Sequence, residues 1–167
     1  MSSSKATYSY VAADVTPVAT ATDVITLTGV TGKVVRVTKV TVSGVATAAS
    51  IYDVYLVKRS TLNTGGAATN PTETRMDSLD PPASAILTKY TGNPTLGTSA
   101  GTIDGEKGFL PAAATPVSPI SFTEWVFGVE QAKEPVIRAG ETFAINFGGA
   151  AVPAGASLYI SIEWTEE

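Results

Sequence analysis

Alternation of apolar and polar residues is the strongest pattern in the chain. Near its end, "SLYISIEWT" sets Leu158, Ile160, Ile162 and Trp164 on one side and Ser157, Tyr159, Ser161 and Glu163 on the other. That period of two predicts a strand with one face in a core. Upstream, "TFAINF" places Phe143, Ile145 and Phe147 on one face, with "RAGET" before it and "GGAAVPAGA" after it as turns. Together the two segments read as a hairpin. The stretch "KVVRVTKVTVSG" changes phase, because Val35 and Val37 share one face and Val40 and Val42 the other. A bulge, or a strand passing from one sheet to another, produces such a switch. In "IYDVYLVKR", Tyr52, Val54 and Leu56 alternate with Ile51, Tyr55 and Val57, so both faces are apolar and the strand is placed centrally in a sheet.

Weaker strand patterns occupy "TYSYV", "DVITLTG", "SAILTKY", "SPISFTEWVFG" and "PVIR". No window sustains a helical period. "DPPASAILTKY" is the one serious helix candidate, since Pro suits a first turn, but its alternating Ile, Thr and Tyr favour a strand. About eight short strands separated by Gly/Pro turns predict an all-β fold, an antiparallel sandwich or a barrel. Two segments, 60–83 and 92–119, lack a repeating pattern and are expected to be long loops. No internal repeat or domain-splitting linker interrupts residues 1–167, which read as one domain. Residues 1–11 have two readings: an arm that swaps between subunits, or a local edge strand.

Composition narrows the class. Charged residues make up 16% of the 167, below the roughly 25% of ordinary domains, and Thr, Ala, Val, Gly and Ser fill the difference. A surface short of charge is consistent with partial cover by other subunits. The net charge of −4 and the lack of any basic stretch disfavour nucleic-acid binding. With no Cys there is neither a disulfide framework nor a thiolate metal site. "MSSSKATYSY" lacks the apolar core of a signal peptide, and no segment approaches the roughly 20 apolar residues of a membrane span. The expectation is a soluble chain made in the cytoplasm, without membrane contact.

Candidate chemistry is sparse. "KRSTLNTGGAATNPT", residues 58–72, carries cations, hydroxyls and a Gly pair after a strand, the residue types of a phosphate-binding loop. In a P-loop, however, Lys and Ser/Thr follow the glycines and open a helix. Here they precede Gly65-Gly66, and "AATNPTET" is a poor helix start. The absence of His and Cys removes the commonest general base and the thiol nucleophile. Carboxylate pairs remain as candidates: Asp77 with Asp80, Asp104 with Glu106, and Glu124 with Glu130. "TIDGEKG" lacks the alternating acidic ligands of an EF-hand and reads as an Asp-Gly hairpin turn at Asp104. Trp125, Trp164, Tyr8, Tyr10, Tyr52, Tyr55 and Tyr90 would make a carbohydrate platform only if several were exposed. The chain therefore reads as a non-enzyme with no implied cofactor or metal.

The order "VTKVTVSG … YLVKRSTLNTGG … KYTGNPTLGTSAGTI … FLPAAATP … EPVIRAGETFAINFGG … VPAGASLYISIEW", from about Asp23 to Trp164, resembles small structural proteins of tailed bacteriophages. Some of these look like the jelly-roll decoration, or cement, proteins that sit as trimers on icosahedral heads. The resemblance implies a two-sheet antiparallel sandwich of jelly-roll type. It also implies a homotrimer on the capsid surface of the virion, made in the host bacterial cytoplasm and stabilising the head by bridging major capsid subunits. No catalytic residues come with it. The alternative is a tail, baseplate or head-fibre component with a receptor or glycan-binding role. Lys58, Arg59, Asn63, Tyr8 and Tyr10 are the candidate contacts with neighbouring or capsid subunits.

Overall fold

In the computed structural model, residues 5–17, 22–114, 122–148 and 153–167 are described. Among them the strands are β1 (Ala6–Val15), β2 (Thr22–Thr28), β3 (Val35–Val45), β4 (Ser50–Arg59), β5 (Ala68–Thr69) and β6 (Thr74–Arg75). They continue with β7 (Ile86–Tyr90), β8 (Ser99–Leu110), β9 (Phe122–Val126), β10 (Val136–Ile137), β11 (Thr142–Phe147) and β12 (Ser157–Glu166). Two antiparallel six-stranded sheets pack face to face. Sheet A has the order β10-β3-β12-β1-β6, with β9 also on β3, and sheet B the order β5-β7-β2-β11-β4-β8.

The pairing is nested. β1 pairs with β12 and β3 with β9 in sheet A, while β2 pairs with β11 and β4 with β8 in sheet B. Outermost strands thus meet first and last, inner ones progressively, and successive pairs fall in alternate sheets. Residues 60–98 interrupt this scheme between β4 and β8. They add β6 to the free edge of β1 and β7, with β5 beyond it, to the free edge of β2. The excursion therefore extends both sheets on one flank of the sandwich, and β8 and β9 border the other.

Inner faces follow the alternation in the sequence. Leu158, Ile160, Ile162 and Trp164 are buried, as are Phe143, Ile145 and Phe147. Each such side chain taken from water contributes about 1.5–3 kcal/mol. The phase switch in β3 is a bulge: Glu163 of β12 faces Lys39 but Trp164 faces Val37. The extra residue, Thr38, returns Val35, Val37, Val40 and Val42 to one buried face. β4 lies inside sheet B as expected, between β11 and β8, although Ile51 and Tyr55 on its outer face are exposed.

Three expectations fail. "TFAINF" and "SLYISIEWT" are not a hairpin, because β11 belongs to sheet B and β12 to sheet A. Alternation identifies the buried face of a strand but not its partner, and nine residues between them suffice to cross a sandwich about 10 Å thick. The 92–119 segment is not a loop throughout, since it contains the twelve-residue strand β8. Asp104-Gly105 accordingly lies inside a strand and not at a hairpin turn. β8 escapes recognition because it is an edge strand exposed on both faces over most of its length, with glycines where side chains would alternate. Two of those glycines have a packing cause: a Cβ at Gly105 would run into the ring of Tyr55, and one at Gly108 into that of Tyr52. Each glycine is the cross-strand partner of the tyrosine that covers it.

Residues 6–15 form β1, which pairs along most of its length with β12 of the same chain. β6 beside it makes β1 internal at Tyr8 and Ser9. Residues 1–4 lie outside the described residues.

Candidate functional site

The segment 58–72 is anchored by a buried acid. Asp23, the second residue of β2, lies on the outer face of sheet B beside Asn146 of β11. Arg59, the last residue of β4, donates from Nε to Asp23 Oδ2 at 2.6 Å and from Nη2 to Oδ1 at 2.7 Å. Asn63 Nδ2 donates to the same carboxylate at 2.8 Å and Asn146 Nδ2 at 2.7 Å. Asp23 has no exposed surface, so a lone carboxylate there would be very costly, and four donors including a guanidinium compensate it. Second bonds carry the clamp to the far end of the excursion. Arg59 Nη1 donates to the Gly97 carbonyl at 3.0 Å, and the Gly97 N–H donates to Asn63 Oδ1 at 2.8 Å. Leu62 and Asn63 consequently lie over Thr26, Thr28 and Thr142, around a cavity of about 140 Å³.

Two further side chains tie the sheets together. Lys58 continues the inward row of Tyr52, Val54 and Leu56 to the rim, where its Nζ meets Glu141 at 2.9 Å and donates to the Val136 carbonyl of β10 at 3.0 Å. Burial works against the charged form of Glu141, but the Lys58 ammonium and the Arg138 N–H outweigh it and hold the carboxyl below its usual range. Glu166 accepts bonds from the Ser84 and Ala85 amides and from Trp164 Nε1, fixing the chain ahead of β7 against sheet A. Tyr8 stacks on Trp164 with ring centroids 5.7 Å apart and donates its hydroxyl to the Pro81 carbonyl at 3.0 Å.

The five expected contact residues therefore divide. Arg59 and Tyr8 are buried within this chain at 5% and 1% exposure, with their polar atoms bonded internally. Their surroundings are intramolecular, which a run of residue types cannot announce. Lys58 and Asn63 are half-buried and bonded to the chain's own groups, and Tyr10 packs against the core. The structure brings Arg59 and Asn63 together through Asp23. The sequence reading missed Asp23 as their partner, since an Asp opening an apolar strand was the only signal.

One member of each carboxylate pair is engaged by a local partner. Glu124 pairs with Lys39 at 2.7 Å, Asp77 caps the Leu79 N–H at 2.9 Å, and Asp104 accepts from the Gly105 N–H at 2.7 Å. Most of the aromatic set is likewise committed to packing, with Trp125, Trp164, Tyr8 and Tyr52 buried. Tyr55 is the exception, with an exposed ring beside a pocket of about 310 Å³.

The outer face of sheet A carries several exposed apolar side chains. Tyr159 of β12 and Phe122 of β9 flank Ser43 of β3 in one cross-strand row, at 50% and 64% exposure. Val11, Val45 and Val126 are exposed on neighbouring positions. Polar groups among them are bonded to one another: Lys39 to Glu124, Thr38 to Glu163, and Thr41 to Ser161. No family model matches the chain, and no curated protein or solved structure matches it either.

Proposed function

We propose that this chain is a virion structural protein, a jelly-roll decoration protein that assembles as a trimer on the head of a tailed phage and bridges major capsid subunits. The observation that carries the reading is the nested pairing of β1 with β12, β2 with β11, β3 with β9 and β4 with β8 in alternate sheets. An antiparallel ribbon rolled across its own length gives that scheme, and so does a jelly roll with its two Greek keys. It joins the resemblance of "KRSTLNTGG", "FLPAAAT" and "VIRAGETFAINF" to phage structural proteins.

The uncovered face of sheet A supports a docking role. Its contacts would be weak singly, and a cyclic trimer multiplies them on a lattice of repeated sites. A binding role is supported by a sequence with neither His nor Cys, and by Glu124 and Asp77 being engaged in an ion pair and a turn. Light scattering on the purified protein, together with pelleting on phage heads, tests this reading. A trimer that pellets with heads supports it; a strict monomer that ignores them overturns it.

A further inference from the structure

Tyr55 lies on the outer face of sheet B, cross-strand from Gly105 of β8 and Asn146 of β11. A Cβ on Gly105 would strike the Cδ1–Cε1 edge of its ring, and one on Gly148 the Cδ2–Cε2 edge. Backbone of two neighbouring segments therefore bounds both edges of the ring, which lies along the sheet instead of standing away from it. Tyr55 remains 38% exposed.

Beside the ring is a shallow, open depression of about 310 Å³, whose lining includes Val57, Leu96, Ser99 and Thr102. An open depression suits one sugar ring laid flat on an aromatic face, with its rim left toward solvent. Two nearly buried side chains, Arg59 and Asn146, also line it, and both are held by Asp23. The lining is thus set before any ligand arrives, which lowers the ordering cost of binding.

Charge decides the class of ligand. The Arg59 guanidinium is neutralised by Asp23, and next to Tyr55 on the same face Asp53 is paired with Lys107 at 2.6 Å. An acidic sugar, a phosphate or a basic peptide finds no uncompensated partner here. The pocket instead offers an apolar side, formed by Tyr55, Val57 and Leu96, and a hydrogen-bonding side, formed by Ser99, Thr102 and Asn146. A neutral pyranose has the same two sides, a face of C–H groups and a rim of hydroxyls. An apolar side chain of a partner protein would match the first side and leave the second unused.

We infer that this pocket binds a neutral pyranose unit of a glycan, with its C–H face on the Tyr55 ring and its hydroxyls toward Ser99, Thr102 and Asn146. The site lies on sheet B and does not depend on the docking role assigned to sheet A, so either can fail alone. Saturation-transfer NMR with the methyl glycosides of glucose, galactose, mannose and N-acetylglucosamine tests it. At least one is expected to receive saturation at its ring C–H protons. Tyr55→Ala is expected to weaken that glycoside about tenfold or more, the scale of losing one aromatic stacking contact. Ser99→Trp, which fills the pocket from an exposed position and leaves the core intact, is expected to do the same if Tyr55→Ala does not fold. Tyr159→Ala, on the other sheet, is expected to have no effect. Transfer to none of the four glycosides overturns the assignment, as does transfer undiminished in Ser99→Trp. Protection of Tyr55 by bound heads together with no glycoside transfer would give the pocket to a protein partner.

Discussion

Arg59 grips Asp23 with two parallel hydrogen bonds, of 2.6 and 2.7 Å, across the outer face of sheet B. The pair joins the end of β4 to the start of β2, and through Asn63 and Gly97 it fixes both ends of the 60–98 excursion. A segment that looks like a ligand loop in sequence is thereby a strapped cover. Removing one partner leaves the other charge buried and unpaired, which typically costs about 3–5 kcal/mol.

Asp23→Ala and Arg59→Ala are each expected to lower Tm by roughly 6–20 °C, the equivalent of that penalty in a chain of this size. The double variant should lose clearly less than the sum, because each single change already strands its partner. Thermal denaturation of the three variants measures the coupling, and strictly additive losses would contradict a buried pair.

Glu166 is expected to tolerate Gln poorly. Its carboxylate only accepts, from the Ser84 and Ala85 amides and the Trp164 indole, whereas an amide would turn a donor toward one of them. The change should cost about 1–3 kcal/mol. Hydrogen exchange at Ser84 and Ala85 should accelerate in Glu166→Gln, with amides beside Asp23 unaffected.

Gly105→Ala is expected to destabilise by about 1–3 kcal/mol through overpacking against Tyr55. Tyr55→Ala in the same chain should recover part of that loss, because the obstructing ring is gone. Urea unfolding of the two single variants and the double variant reads this directly.

Acid should weaken the rim where Lys58 meets Glu141. The Glu141 carboxyl is held below the ordinary value of 4.5, so its contribution is present above that value and lost as pH falls through the lower, folded one. Hydrogen bonding from Lys5 depresses Glu167 in the same direction. Urea midpoints should therefore fall from about pH 5 downward, and Lys58→Met should flatten part of that fall.

Much of the fold was legible because alternation survives wherever one face of a strand is buried. Leu158 to Trp164, Phe143 to Phe147 and the shifted valines of β3 all announced their inner faces. Partners were less legible, since the same pattern serves a hairpin or a crossing between sheets, as β11 and β12 show. β8 was hidden because Gly101, Gly105 and Gly108 stand where side chains would mark its faces, two of them beneath tyrosine rings. In the candidate site, residue types drew attention to Lys58, Arg59 and Asn63. Their organiser, Asp23, stands over thirty positions away in sequence and carries no local motif.

Pelleting the purified protein with empty phage heads tests the proposed head-decoration role most directly. The account predicts that the protein sediments with heads at a saturating, lattice-matched ratio. It also predicts that Phe122→Asp with Tyr159→Asp, on the exposed face of sheet A, abolishes this without lowering Tm. Protein left wholly in the supernatant at saturating heads would contradict it.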